Sequence, residues 1–176
     1  MQRLSLERAN RLIAEVFAEA ARRELPPLAA AVLDAGGHLK AMQRQDGLSF
    51  LRADICQAKA WGALAMGTGS RNLADRFAQD AQQQGFIQGL NAMTGGRIVT
   101  LPGGLLIMDD AGDVVGALGV AGGPSDLDEA CALAARSPNM VDVEFLPKGL
   151  HDLETAEMTA RLQETVDAAG DDYDAI

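Results

Sequence analysis

Between Ser5 and about Glu24, the residues Leu6, Ala9, Leu12, Ile13, Val16, Phe17 and Ala20 recur at steps of three and four, which lines them along one face of a helix. Ser5 stands where an N-cap belongs, Glu7 favours the first turn, and Pro26-Pro27 stops the helix. The pattern then changes. Leu28–Leu33 is an unbroken apolar run, Asp34-Ala35-Gly36-Gly37 closes it, and His38-Leu39-Lys40-Ala41-Met42 leads back. This is the grammar of a β-hairpin, whose tight turn needs the positive φ angles that glycine supplies. The grammar repeats further on: Leu105–Met108, a turn at Asp109-Asp110-Ala111-Gly112-Asp113, and the return Val114–Val120.

The segments between the hairpins are helical in character. Phe50 to about Met66 offers Ile55, Ala58, Leu64 and Ala65 to a buried side, and a further helix is expected over Asn72 to about Gln82, after the Gly67–Gly69 break. Gly85–Gly96 takes no firm assignment. Arg97-Ile98-Val99-Thr100 is expected as a fifth strand, ended by Pro102-Gly103-Gly104. A last helix is expected over Asp126–Ala135, with Ser125 as N-cap and Asp128 as its acidic partner three residues on. Strands joined by hairpins rather than crossovers predict an α+β fold, helices on an antiparallel sheet, not a doubly wound parallel one.

Composition narrows the function classes. At 176 residues the chain fits one domain with a sizeable core, and it is 48% hydrophobic yet only 4% aromatic, so small residues bring its elements close together. A net charge of −10 repels phosphate backbones, which argues against a nucleic-acid partner. Much of that charge falls after Leu150, where Asp152, Glu154, Glu157, Glu164, Asp167, Asp171, Asp172 and Asp174 face Arg161 alone. The two cysteines, Cys56 and Cys131, sit on expected helices with no CxxC spacing, so buried reduced thiols are expected. No apolar signal core opens the chain and no run approaches the ~20 apolar residues of a membrane span, so no membrane partner and a cytoplasmic location are expected.

Six ordered segments carry a family resemblance. Ala30-Ala31-Val32-Leu33-Asp34-Ala35-Gly36-Gly37-His38-Leu39 resembles the first hairpin of the GlcG/HbpS family, the haem-binding or haem-degrading domain that also forms the C-terminal domain of PduO-type proteins. Arg44-Gln45-Asp46-Gly47 looks like its Arg-Met-Asp-Gly segment with Gln45 in place of Met, and Ala58-Lys59-Ala60 matches its Lys-Ala helix. Gly95-Gly96 to Leu101-Pro102-Gly103-Gly104 resembles its glycine loop, Val115–Gly123 its Gly-rich strand with Ala121 in place of Ser, and Asp128-Glu129-Ala130-Cys131 the opening of its last helix. The resemblance implies a five-stranded antiparallel sheet flanked by helices with profilin-like layering, assembly into dimers or larger homo-oligomers, and haem as a ligand. It covers roughly Ser5 to Ala135, and a single GlcG/HbpS-like domain is expected over residues 1–137. Residues 138–176 then form an extension with an acidic helix and tail, in the same domain or in contact with another subunit.

The chemistry-bearing residues leave alternatives open. His38, just after the glycine turn, either offers an imidazole to haem or bonds nearby backbone. His151 reads as a surface residue, and two histidines without HxH or HxxxH spacing predict no metal site of their own. Arg44 and Lys59 are expected to grip a carboxylate, such as a haem propionate or a small organic acid, or else to pair with Asp46 or Asp54. Arg52 and Arg71 read as solvated, with joining such a site as the alternative for either. Asp54 is the candidate general base. Gly103 and Gly104 allow a ligand to approach backbone N–H groups, with Asn91 and Thr100 as hydrogen-bonding neighbours, although turn geometry explains the glycines equally well. The first functional expectation, implied by the resemblance, is a small-ligand protein of the GlcG/HbpS type that binds haem, with degradation of haem left open. The alternatives are a catabolic enzyme acting on a small organic acid by proton transfer, isomerisation or hydrolysis, and an accessory oligomer without catalysis.

Overall fold

The computed structural model describes residues 4–109 and 111–135. The elements run α1 (Leu6–Arg22), β1 (Ala29–Asp34), β2 (Leu39–Arg44), α2 (Leu51–Met66), α3 (Ser70–Gln79), α4 (Ala81–Met93), β3 (Gly104–Met108), β4 (Val114–Ala121) and α5 (Ser125–Ala134). Helix α1 starts as its sequence dictates, with the Ser5 hydroxyl accepting from the Arg8 N–H at 3.1 Å. Both hairpins form, and all neighbouring strands are antiparallel in the order β2-β1-β4-β3.

Packing on both faces explains why β1, β3 and β4 are apolar nearly throughout. On one face Ala30, Val32, Leu105, Ile107, Leu118 and Val120 join Leu12, Ile13 and Val16 of α1 and Cys131 of α5 in the main core. On the other face Ala29, Ala31 and Ala121 meet Cys56, while Leu33 and Ala117 meet Ala60 of α2. Strands covered on both sides have no polar face to present, so the alternation of a half-exposed sheet disappears. Strand β2 lies at the edge and is mostly exposed.

Helix α2 lies almost directly on the sheet. A Cβ at Gly119 would stand 1.9 Å from the Cys56 carbonyl oxygen, and one at Gly104 would stand 2.1 Å from that of Lys59. Only glycine permits that approach, because the obstruction is helix backbone and cannot swing aside.

Three expectations need correction. The described residues form a four-stranded sheet, not a five-stranded one, and Arg97–Thr100 is not a strand. The Ile98 N–H bonds Asn91 Oδ1 at 2.9 Å, and its side chain packs with Leu73 and Ile87, so this segment anchors α3 and α4 instead of extending the ladder. Ser125 is not an N-cap: Pro124 holds that position and no side chain caps α5. Finally, α3 begins at Ser70, and α4 fills the stretch left unassigned. It is capped by Asp80, whose carboxylate accepts from the Gln83 N–H at 2.8 Å. Glycines at 85 and 89 mask that helix in the sequence. Among the described residues no helix is long and apolar enough to cross a membrane. The expectations for residues 138–176 and for His151 lie outside the described residues.

Candidate functional site

The expected partnership of Arg44 and Lys59 is not formed. Lys59 lies on the sheet-facing side of α2, 1% exposed, with its Nζ 2.7 Å from Asp128 Oδ2 of α5. Its partner is thus Asp128, neither Asp46 nor Asp54. Asp128 Oδ1 also accepts from the Gly123 N–H at 3.0 Å. Burial pushes the Lys59 ammonium down and the Asp128 carboxyl up from their ordinary values, and each partner's charge opposes the shift of the other. Beside them Arg71, expected as solvated, bridges Glu129 at 2.6 Å and Asp126 at 2.5 Å, and burial raises the Glu129 carboxyl. Arg44 instead sits exposed at the end of β2 and donates to the Leu48 carbonyl. It borders a recess of about 580 Å³ between β2 and the C-terminal end of α1, where Phe17, Leu25 and Pro27 form the apolar wall.

The glycine-loop residues likewise serve the fold. The Gly104 N–H donates to Ser70 Oγ at 2.7 Å, and that hydroxyl donates to the Leu101 carbonyl at 2.7 Å. The Gly103 carbonyl accepts from Val120 at 2.9 Å, and Asn91 holds Ile98. Thr100 is half-buried and lines neither recess.

His38 and Asp54 do come together. A cleft of about 400 Å³ opens between the β1–β2 turn, α2 and the loop after α4. The turn supplies His38, the start of β2 supplies Leu39, α2 supplies Asp54, Gln57 and Trp61, and the loop supplies Arg97. The Arg97 guanidinium lies over the Trp61 ring, 5.7 Å from its centroid. His38 is exposed, and its Nδ1 stands 3.3 Å from Asp34 Oδ1. The backbone N–H of His38, helped by that of Gly36, holds the Asp34 carboxyl below its ordinary value against the opposing effect of burial. The larger recess also holds a guanidinium and a carboxylate, at Arg44 and Asp46, but the smaller cleft adds an imidazole and an indole. Chemistry, not volume, makes it the candidate site.

Sequence reasoning missed Trp61, Gln57 and Arg97. Trp61 is the chain's one tryptophan, and it falls four residues before Ala65 on a helix read only for its buried face. Arg97 was hidden by its assignment to a strand. Cys56 and Cys131 are buried as expected, with thiols pushed up to about 12 by burial, and neither lines the cleft. No group of three or more His, Cys, Asp or Glu among the described residues could hold a metal ion.

Comparison with known proteins places this architecture. A family model described as "Haem degrading protein HbpS-like" matches residues 4–137. An uncharacterized 15.0 kDa protein from the dhaT-dhaS intergenic region of Citrobacter freundii is 31% identical over 132 residues, 75% of this chain and 89% of that one. The corrinoid adenosyltransferase PduO of Salmonella typhimurium is 29% identical over 117 residues, 66% of this chain but only 33% of PduO. Among solved structures, a PduOC:heme complex superposes with a TM-score of 0.70 at 26% identity, covering 82% of this chain and 99% of that one. HbpS superposes with a TM-score of 0.63 at 27% identity, over 77% and 89% respectively. The matched span includes the hairpin, glycine loop and last helix that carry the sequence resemblance, and the chain belongs to the HbpS-like family.

Proposed function

We propose that this chain binds haem in the cleft between the β1–β2 turn, α2 and the loop after α4, with His38 as its ligand to iron. The observation that carries the reading is an exposed imidazole on the wall of a cavity that an indole also lines. The other groups fit the same guest. Leu39 and Trp61 offer apolar surface to a flat macrocycle, and Arg97 offers a guanidinium to a propionate. A cavity of about 400 Å³ is within the usual range for small-molecule sites, and its open side suits a ligand that is not fully enclosed. A solved relative is itself a heme complex, which supports haem as the ligand class.

Haem degradation is the finer reading. Bound haem supplies oxygen and redox chemistry that no side chain here provides. This chain's contribution would be to orient the ring through His38 and Arg97, and to accept or relay a proton at Asp54, an exposed carboxylate lining the same cleft.

Hemin titration tests the binding step. A Soret band should shift on binding, and the emission of Trp61, the chain's sole indole, should be quenched in parallel. His38→Ala should abolish the shift with its melting temperature unchanged, because the side chain is exposed. An unaltered Soret titration in that variant would exclude His38. Stabilisation by small organic acids but not by hemin would move the assignment to the catabolic-enzyme alternative.

A further inference from the structure

Asp34 is held in place by the turn it helps to build. Its Oδ1 accepts from the Gly36 N–H at 2.9 Å and from the His38 N–H at 3.0 Å, and the same oxygen stands 3.3 Å from His38 Nδ1. Rotation of the carboxylate away from the ring would break both backbone bonds. An exposed imidazole is therefore met by an anion whose position the backbone sets. Gly36 completes the seat: a Cβ there would stand 2.9 Å from His38 Nδ1 and 3.3 Å from Asp34 Oδ1, so the ring occupies space that only glycine leaves free.

We propose that Asp34 is the positioning residue of the cleft, holding His38 as the Nδ1–H tautomer so that Nε2 is the nitrogen presented to a ligand. A neutral imidazole has one donor and one acceptor nitrogen, and a carboxylate oxygen can only accept, which leaves the donor role to Nδ1. The same contact is the one a carboxylate makes behind a metal-bound histidine, where it fixes the tautomer and orients the ring. The consequence at iron rests on the haem-binding reading. The tautomer itself belongs to the ligand-free chain.

Asp34 also serves the turn, so the test must separate the two roles. Asp34→Asn keeps an acceptor oxygen for both backbone N–H groups but removes the charge. Gly36→Ala keeps the charge and places a methyl against the ring, which is exposed and free to move aside. In a His151→Gln background, His38 is the remaining imidazole. Nitrogen-15 spectra of its ring in the ligand-free protein, recorded above the imidazole titration range, then report the tautomer directly. The parent should be mainly Nδ1–H. Each variant should shift the ratio toward Nε2–H by about fivefold, the margin of a charge-assisted bond over a neutral one, with its melting temperature retained. Hemin affinity should fall about 10–100-fold in Asp34→Asn, the loss typical of removing a partner behind a metal ligand. A parent ring found as Nε2–H, or a ratio unmoved in both variants, overturns the proposal. If hemin still binds in that case, the cleft assignment stands without Asp34. If the ring is Nδ1–H and hemin does not bind, the tautomer assignment stands and the haem reading falls.

Discussion

The molecule keeps charged side chains in two contrasting settings. Where α2, α3 and α5 meet, Lys59, Asp128, Arg71 and Glu129 are joined in short ion pairs, and Lys59 and Asp128 are both 1% exposed. At the β1–β2 turn, His38, Asp54 and Arg97 line an open cleft. Burial penalises an unmatched charge by several kcal/mol, so a buried ionic group persists only with its partner, and its role is committed to the fold. A rim charge carries little such obligation and remains available to a ligand. Sequence treats all of these residues alike, as cations and anions among apolar neighbours. Solvent exposure separates the structural set from the candidate functional one.

The sharpest way to break this contrast is Lys59→Met. It leaves the Asp128 carboxylate buried without its ammonium and should cost about 3–5 kcal/mol, read by chemical denaturation. The double change Lys59→Met with Asp128→Leu should recover most of that loss. Equal stability of the single and double variants would mean that the pair is not coupled as described. Arg71→Ala should come next, at about 1–3 kcal/mol, because Glu129 is 6% exposed at its side chain while Arg71 is itself 34% exposed and partly screened. A loss as large as that of Lys59→Met would erase the distinction between the two pairs.

Much of the fold was legible because its signals are local. The α1 periodicity, its Ser5 cap and both hairpin turns each need only neighbouring residues, and each forms as the pattern dictates. The failures involve partners distant in sequence. Asp128 sits where a capping residue would, but it answers to Lys59, 69 positions away. Ile98 has a strand-like neighbourhood, yet Asn91 and the α3–α4 core claim it. The site was half legible for the same reason. His38 follows from its turn, whereas Trp61 and Arg97 become site residues only when α2 and the loop after α4 converge on that turn.

A smaller effect tests the intermediate case. Glu19 of α1 is largely covered but reaches the surface through Arg22 at 2.5 Å and Arg23 at 2.6 Å. Burial raises its carboxyl, and the two guanidinium groups outweigh that, leaving it below its ordinary 4.5. A lowered native value means that the unfolded chain binds the proton more tightly. The stabilisation is therefore present above 4.5 and is lost as the pH falls through the native value. Glu19→Gln should thus cost about 0.5–1 kcal/mol at neutral pH and nothing measurable in strong acid. A cost independent of pH would assign the effect to packing rather than charge.

The smallest stability change belongs to the cleft. Arg97 touches the Trp61 ring but takes part in no ion pair recorded among the described residues, so its replacement removes one cation–π contact at an exposed rim. Arg97→Gln should change stability by no more than about 0.5 kcal/mol. If the guanidinium meets a propionate, the same change should weaken hemin binding about 3–10-fold, the scale of one charge-assisted bond, and the loss should shrink as salt is added. Trp61 emission in the ligand-free protein gives an internal control, since removing the guanidinium from the ring face should alter it whether or not hemin binds. A variant that loses stability instead of affinity would place Arg97 with Lys59 and Arg71 among the structural charges, and would leave the cleft with His38 as its main claim to a ligand.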